Sequence, residues 1–289
     1  MSQLHPCLIG AIFACAGVSM SSAVIVLGPD DSQNRVDPGD GAPWQYVAAI
    51  GNNSGSGVYL GNGYVLTAAH VTPNTPILLN DVTYSLSASI PISGADLSLL
   101  RLDGDPGLPW LPLIASTQND LQQSSMMIGW GLGKGAEVAN QGWLWGDGQT
   151  YAKRWAINAT LSTLYVDENG SPYLQTAFDR TLGPNVGQLA LADSGSGLFE
   201  NIGGLWTLAG IGAGVDGHSP LAALYDNDPD TPGDQPDNGY YVELQPYVGA
   251  IESITGTPEP SAALLMAGGL AALGIRRLRP KRGAVSPVA

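Results

Sequence analysis

Two short apolar runs between residues 57 and 70 are joined by a Gly-Asn-Gly turn. The first run is Gly57-Val58-Tyr59-Leu60, and the second, Tyr64-Val65-Leu66-Thr67-Ala68-Ala69, ends at His70. β-Branched and aromatic residues on both sides of such a turn are typical of a β-hairpin. The chain also contains 39 glycines and 21 prolines, which interrupt helices. The sequence therefore predicts an all-β fold with many short strands joined by turns.

The size and charge of the chain exclude some classes of function. Its 289 residues are enough to bury a substantial hydrophobic core. The formal net charge of −14 argues against a nucleic-acid partner, whose phosphates attract positive charge. An acidic composition of this kind suggests a soluble, exported protein.

The N-terminus has the pattern of an export signal. An apolar run from Cys7 to Val18 is too short to span a membrane comfortably, and small residues follow it at Ser21-Ser22-Ala23. We therefore predict a signal peptide at residues 1–23, with a buried N-terminal helix as the alternative. Both cysteines lie in this segment, so the mature protein would contain no disulfide. Residues 24–35 are interpreted as a short leader or pro-segment without a core of its own.

The C-terminal end carries a second targeting pattern. Thr257-Pro258-Glu259-Pro260 is followed by an apolar segment at 261–275 and a basic end at 276–282. Basic residues directly after an apolar run match the positive-inside pattern of membrane segments. The tail at 257–289 resembles a PEP-CTERM sorting signal with a hydrophobic tail helix. That resemblance implies a Gram-negative-type bacterium, membrane contact through the tail before processing, an exosortase-type processing enzyme, and delivery to the cell envelope, the surface or the exterior.

A candidate nucleophile lies in Ala192-Asp193-Ser194-Gly195-Ser196-Gly197. A serine hydroxyl needs a base to take its proton and N–H groups to hold the developing oxyanion. Small neighbours let a substrate carbonyl approach the main chain. The alternative is a polar turn before a strand.

A candidate base and a candidate orienting acid lie upstream of this serine. Histidine is the usual general base, and His70 follows small residues that leave room around its ring. Asp96 stands at the entrance of Asp96-Leu97-Ser98-Leu99-Leu100-Arg101-Leu102. A carboxylate buried there could fix the tautomer of His70. A structural histidine and a turn acid are the alternatives, and His218, in a turn-like loop, is interpreted as solvated.

The segments around His70, Asp96 and Ser194, in this order along the chain, resemble those of the chymotrypsin-like (trypsin-like) serine peptidases. Thr67-Ala68-Ala69-His70 matches the T-A-A-H motif of the family, and Asp193-Ser194-Gly195 matches the centre of its G-D-S-G-G-P motif. Ile128-Gly129-Trp130-Gly131 is similar to its G-W-G motif, and the strand after Asp96 also fits. The matches run from about Val36 to Ile254.

The resemblance implies a domain at residues 36–256 made of two six-stranded antiparallel β-barrels with a short C-terminal helix. The active site would lie in the cleft between the barrels. Ser194 would attack the scissile peptide carbonyl, His70 would carry the proton, and Asp96 would orient His70. The backbone N–H groups of Ala192 and Ser194 would hold the oxyanion. The protein would then be an exported serine endopeptidase that acts on protein or peptide substrates and requires no cofactor.

One departure from the family pattern and one further resemblance bear on this expectation. The first glycine of G-D-S-G-G-P is Ala192 here, which would be strained if the loop needs a positive φ. A catalytically weak or inactive homologue that acts as a surface binding or adhesion module is therefore the alternative. Arg35-Val36 resembles an activation cleavage point, which predicts an ion pair between a freed Val36 and Asp193.

The remaining expectations concern specificity and metal binding. Counting back from Ser194 predicts a pocket floor at Gln188, and the wall is expected at Ala213, Gly214 and Val215. All four residues are uncharged, which predicts a preference for uncharged P1 residues, those on the N-terminal side of the cleaved bond. Asp226, Asp228 and Asp230 alternate along one loop and are weak candidates for a structural Ca²⁺, with a solvated acidic turn as the alternative.

Overall fold

The computed structural model describes residues 24–256 except 30, 53, 72–75, 114–123, 162–163, 229 and 231–232. The predicted signal peptide at 1–23 and the predicted sorting tail at 257–289 lie outside the described residues. No helix within the described ranges is long and apolar enough to cross a membrane. Strands are numbered β1 to β19 in chain order.

The N-terminal half of the domain forms one antiparallel sheet of seven strands, in the order β6-β5-β2-β3-β4-β8-β7. The expected hairpin lies at its centre, where Gly61, Asn62 and Gly63 all have positive φ. Glycine and asparagine tolerate this conformation, so the turn reverses the chain tightly. The strands are β2 (Val47–Ile50), β3 (Gly55–Gly61), β4 (Tyr64–Thr67), β5 (Ile77–Leu79), β6 (Val82–Tyr84), β7 (Leu86–Ile92) and β8 (Leu97–Leu102).

The C-terminal half forms a second antiparallel sheet of seven strands, in the order β12-β9-β16-β17-β19-β14-β13. Its strands are β9 (Ser124–Gly131), β12 (Ala152–Ala159), β13 (Tyr165–Val166), β14 (Pro172–Ala177), β16 (Gly197–Ile202), β17 (Leu205–Val215) and β19 (Asn238–Glu243).

Smaller elements complete the described part of the chain. Strand β1 (Ile25–Val26) pairs with β15 (Gly187–Gln188), and β10 (Lys134–Val138), β11 (Gly142–Trp145) and β18 (Ala222–Leu224) form a three-stranded sheet. Helix α1 (Val248–Thr255) ends at Gly256, whose φ of 69° and bond to the Glu252 carbonyl make a left-handed cap.

This arrangement confirms the expected all-β, two-barrel architecture and the short C-terminal helix. In the described part of the chain, each sheet has seven strands rather than six, and short strands such as the two-residue β13 and the three-residue β6 lie at the edges. One hydrophobic cluster continues from the first sheet into the second and includes Val58, Leu66, Ile128, Phe199 and Ile211. The two sheets therefore share a core, and the loops that leave them meet at their junction.

The first residues of the predicted leader at 24–35 pack against the domain. Val24, Ile25 and Val26 are at most 1% exposed. Val24 and Val26 pack into a cluster of the second sheet, whereas Ile25 packs into a separate cluster with Phe178 and Ala223. Burial of such aliphatic side chains contributes about 1.5–3 kcal/mol each. These three residues of the predicted leader are therefore part of the packed structure.

Candidate active site

The end of strand β4 and the residue Asp96 together position His70. Strand β4 ends at Thr67, and the chain turns so that the amide of Ala69 donates to the carbonyl of Asp96 at 3.2 Å. The amide of His70 donates to Oδ1 of Asp96 at 3.0 Å. Nδ1 of His70 lies 2.6 Å from Oδ2 of the same carboxylate. One carboxylate therefore fixes both the backbone and the ring of His70.

The other ring nitrogen of His70 faces the serine of the second sheet. Nε2 of His70 lies 2.7 Å from Oγ of Ser194, although 124 positions separate the two residues. With Nδ1 donating to the carboxylate of Asp96, Nε2 is left as the acceptor for the hydroxyl proton. The structure thus brings the three predicted residues into one hydrogen-bonded row.

The expectation that Asp96 is buried is only partly met. Its side chain is 27% exposed, because an open cavity of about 430 Å³ lies beside it. The polar lining of this cavity includes Asp96, Asp167, Ser171 and Tyr173. Burial, with the nearby Asp167 and Asp96 carboxylates, raises the pKa of the Tyr173 phenol.

The loop before the nucleophile has a positive φ at Ala192, the position where the family motif has glycine. Ala192 has a φ of 66°, and Gly195 has a φ of 89°. A methyl-bearing residue therefore occupies the left-handed region, at a cost of about 1–2 kcal/mol. The N–H groups of Ala192 and Ser194 donate to no acceptor within the described residues. Both groups are thus available for an oxyanion.

The side chain of Asp193, in the same loop, points into the interior and is fully buried. Its Oδ2 accepts a hydrogen bond from the amide of Ala190 at 3.0 Å, whereas Oδ1 has no hydrogen-bond partner within the described residues. A Cβ atom on Gly129 would lie 2.3 Å from that oxygen, so the glycine before Trp130 makes room for the carboxylate. Burial raises the pKa of Asp193 well above its usual value, and the Ala190 amide and the Arg154 guanidinium oppose that shift.

The structure does not bring Val36 to Asp193. Val36 is 55% exposed and follows Arg35, which forms an ion pair with Asp31 at 3.0 Å. Val24, by contrast, is fully buried. Val24 precedes Ile25, the register partner of Gln188, and Gln188 lies two residues before the amide that binds Asp193. The pair that a freed Val36 would form with Asp193 stays a prediction, because the peptide bond between Arg35 and Val36 is intact in the structure.

A cavity of about 260 Å³ lies beside Ser194. Three of the four predicted pocket residues, Ala213, Gly214 and Val215, line it, whereas Gln188 does not. Gln188 is fully buried and accepts from the amide of Leu189 with its own side chain. The other lining residues are Trp145, Leu189, Ala190, Leu191, Asp193 and Leu221.

Trp145 and Leu221 are functional candidates that the sequence analysis missed. They belong to the three-stranded sheet and the loop before β18, and the amide of Trp145 donates to the carbonyl of Leu221 at 3.0 Å. The pairing of β11 with β18 joins segments about 80 residues apart, so no local pattern could have shown that Trp145 reaches the pocket.

The Ca²⁺ candidate receives no support. Within the ranges that the structure describes, no group of three or more His, Cys, Asp or Glu side chains is placed to hold a metal ion. Asp226, Asp228 and Asp230 therefore do not form such a group, because alternation along an irregular loop does not by itself direct the carboxylates to one point.

Comparison with known proteins bears on the fold. No family model matches the sequence, and no curated protein matches it. Among solved structures, the chain is similar to a mutant of human heparin binding protein (CAP37), with 15% sequence identity and a TM-score of 0.52. The match covers 78% of this chain and 97% of that protein. Together with the sheet order and the two barrels, this similarity shows that the chain has a chymotrypsin-like double-barrel fold.

Proposed function

We propose that this protein is a serine endopeptidase. The observation that carries the proposal is the position of His70, with Nδ1 2.6 Å from Asp96 and Nε2 2.7 Å from Ser194. These distances lie within the hydrogen-bond reach that a nucleophile, its base and an orienting acid require.

The proposed reaction proceeds in two steps. Oγ of Ser194 attacks the peptide carbonyl while His70 takes its proton, and the carbonyl oxygen becomes an oxyanion held by the N–H groups of Ala192 and Ser194. The C–N bond then breaks as His70 gives the proton to the leaving amine, which leaves an acyl-enzyme. Water, activated by His70, releases the second product and restores the Ser194 hydroxyl.

The lining of the cavity beside Ser194 supports a preference for uncharged, apolar P1 residues. Apolar surface comes from Trp145, Leu189, Val215 and Leu221, and the one residue with an ionisable side chain in this lining is Asp193. The Asp193 carboxylate is buried beneath the loop, so it offers no exposed partner for a Lys or Arg side chain. A neutral side chain would fill this cavity without leaving a buried charge unpaired.

Maturation is part of the proposal. Removal of a signal peptide at residues 1–23 would leave Val24 as the first residue, and its α-ammonium group would form at a buried position, directly before Ile25, the register partner of Gln188. We propose that this group pairs with the Asp193 carboxylate, in place of the expected Val36. The proposed route of the protein is export from a Gram-negative-type bacterium, with the tail at 257–289 held in the membrane until an exosortase-type enzyme processes it.

One observation favours a second candidate, a catalytically weak homologue that binds ligands at the cell surface. The strained φ of Ala192 lies at one of the two proposed oxyanion donors, where a small displacement would reduce catalysis strongly. Heparin, the ligand in the printed name of the human protein, does not suit this chain, because a net charge of −14 repels a sulfated polyanion.

Peptide hydrolysis separates the two candidates. The matured protein is incubated with casein and with a panel of peptides that differ at P1, alongside Ser194→Ala and a control, Ser253→Ala, on the exposed side of α1. Cleavage after apolar residues that is lost in Ser194→Ala and kept in Ser253→Ala supports the peptidase. Peptide binding without turnover in the folded wild type supports the weak homologue.

A further inference from the structure

The segment at residues 216–221 forms one side of the cavity next to Ser194. It connects β17 to β18. Its last residue, Leu221, lines the cavity, and so does Val215, the last residue of β17, which directly precedes the segment. Gly217, near its middle, has no atom within 4 Å of where a Cβ would stand. The position of this segment therefore determines the shape of the cavity, although its middle runs over open space.

Both ends of the segment are attached to the second half of the domain. At the start, the Asp216 carboxylate accepts from the amide of Asn238 at 2.8 Å and from the hydroxyl of Tyr240 at 2.9 Å. At the end, the carbonyl of Leu221 accepts from the amide of Trp145. Residues 217–220, between these two attachments, need a further contact if their backbone is to keep a single conformation.

His218 supplies a contact in the middle of the segment. Its Nε2 lies 2.7 Å from Oδ1 of Asp237, and its side chain is 24% exposed, whereas that of Asp237 is fully buried. His218 is therefore not simply solvated, as its turn-like sequence suggested. It reaches from the surface segment to an interior carboxylate.

Asp237 is itself firmly held. Its Oδ2 accepts from the amide of Leu224 at 2.7 Å, and its Oδ1 also accepts from Nδ2 of Asn227 at 2.8 Å. Its backbone amide donates to the Leu224 carbonyl, and its carbonyl accepts from the amide of Phe178. A buried carboxylate that accepts several hydrogen bonds is held rigidly. The hydrogen bond from His218 to this carboxylate therefore holds the middle of the segment in place.

We propose that His218 is a positioning residue whose hydrogen bond to Asp237 fixes the path of residues 216–221, and through Val215 and Leu221 sets the selectivity of the cavity for apolar P1 side chains. This inference rests on the proposed peptidase function and specifies its substrate preference. His218 does not contact the reacting atoms. Its effect therefore falls on substrate binding rather than on the chemical step.

The test compares three variants on two peptides with Leu or Ala at P1. His218→Ala removes the hydrogen bond, and His218→Gln keeps a donor at nearly the same reach. Ser219→Ala is the control, because this exposed neighbour makes no side-chain hydrogen bond within the described residues. We expect His218→Ala to raise KM for the Leu peptide about tenfold, with kcat within about twofold. The Ala peptide, which fills less of the cavity, changes less than about threefold.

The conservative variant distinguishes positioning from a general loss of stability. We expect His218→Gln to restore KM for the Leu peptide to within about threefold of the wild type, and Ser219→Ala to match the wild type. If His218→Ala does not fold, His218→Asn replaces it, because its shorter amide does not reach Asp237.

Three results would count against the account, and they are distinguishable. Equal KM values and equal Leu-to-Ala preference in the wild type and His218→Ala would overturn this inference alone, as would a His218→Gln variant as defective as the alanine variant. A wild type that cleaves neither peptide would overturn the proposed function itself.

Discussion

A Cβ atom on Gly195 would lie 1.9 Å from the carbonyl oxygen of Ser56. The amide of Ser56 also donates to the carbonyl of Ser194 at 2.8 Å. Strand β3 of the first sheet therefore presses directly on the loop that carries the nucleophile in the second. This contact sets the position of Ser194 opposite His70.

The first prediction concerns this contact. Gly195→Ala combines a positive φ with a backbone clash, so we expect the free energy of unfolding to fall by about 2 kcal/mol or more. Movement of the loop by an ångström would also lower kcat/KM about a hundredfold. Gly203→Ala is the control, because Gly203 has a φ of 62° in open space. Denaturant titration and peptide hydrolysis provide the measurements, and equal effects of the two substitutions would contradict the role of the contact.

The second prediction concerns the strain at Ala192. Glycine adopts a positive φ without the penalty of a Cβ, so we expect Ala192→Gly to raise the free energy of unfolding by up to about 1 kcal/mol. Ala190→Gly is the matched control, since Ala190 lies in the same loop, is equally buried and has a negative φ. Glycine there should lower stability by about 0.4–1 kcal/mol. Chemical denaturation of both variants checks the prediction, which fails if Ala192→Gly is the less stable of the two.

The third prediction concerns Lys153, whose ammonium group is buried between the two sheets. Its Nζ donates to the carbonyl of Trp44 at 2.5 Å and lies 4.6 Å from the centroid of the Trp44 ring. Burial lowers the pKa of Lys153 to about 7, against the opposing effect of Asp37 and Asp81. The unfolded chain, with an ordinary lysine pKa of about 10.4, therefore binds more protons than the folded chain between these values.

Stability should consequently rise with pH across this interval as far as Lys153 is concerned. We expect the free energy of unfolding of the wild type to increase relative to Lys153→Met between about pH 7 and 10. Urea titrations of both proteins at several pH values measure the difference. A difference that is flat or falls with pH would show that the lysine is not held as a buried amine.

The fourth prediction tests the proposed pairing of Val24 with Asp193. In a chain that keeps Ala23, the α-ammonium group of Val24 does not exist and cannot pair with Asp193. Because the pKa of Asp193 is raised in the folded state, the folded chain binds a proton that the unfolded chain releases. Stability of that form should therefore fall as pH rises above about 4, the ordinary pKa of an aspartate in the unfolded chain. In a chain that begins at Val24, the α-ammonium group would lower the Asp193 pKa and remove this loss.

Thermal unfolding of the two forms at several pH values provides the measurement. Asp193→Asn is the control, because it should make the pH dependence of the two forms alike. N-terminal sequencing of exported protein should begin at Val24, and a start at Val36 with full activity would contradict the pairing.

The sequence was sufficient to predict the triad because each member lies in a local pattern. His70 follows a hairpin strand, Asp96 precedes an alternating strand, and Ser194 lies among small residues. The β-hairpin at Gly61-Asn62-Gly63 was predictable for the same reason, since its turn residues are local.

Other parts of the site depend on long-range packing and could not be predicted. Val24 is buried directly before the two-residue strand β1, which is too short to show any periodicity. Gln188 was expected to line the pocket from its distance to Ser194, but its side chain turns to the backbone amide of Leu189. Trp145 reaches the pocket through a separate sheet, and His218 acquires its role from Asp237, 19 positions away.

Labelling with a fluorophosphonate probe tests the central claim most directly, because the probe reacts with a serine only when a base activates it. The account predicts a single covalent adduct on Ser194, identified by peptide mass spectrometry. Labelling should slow by several orders of magnitude in His70→Ala and be absent in Ser194→Ala. A folded wild-type protein that stays unlabelled, or that is labelled equally fast without His70, would contradict the account.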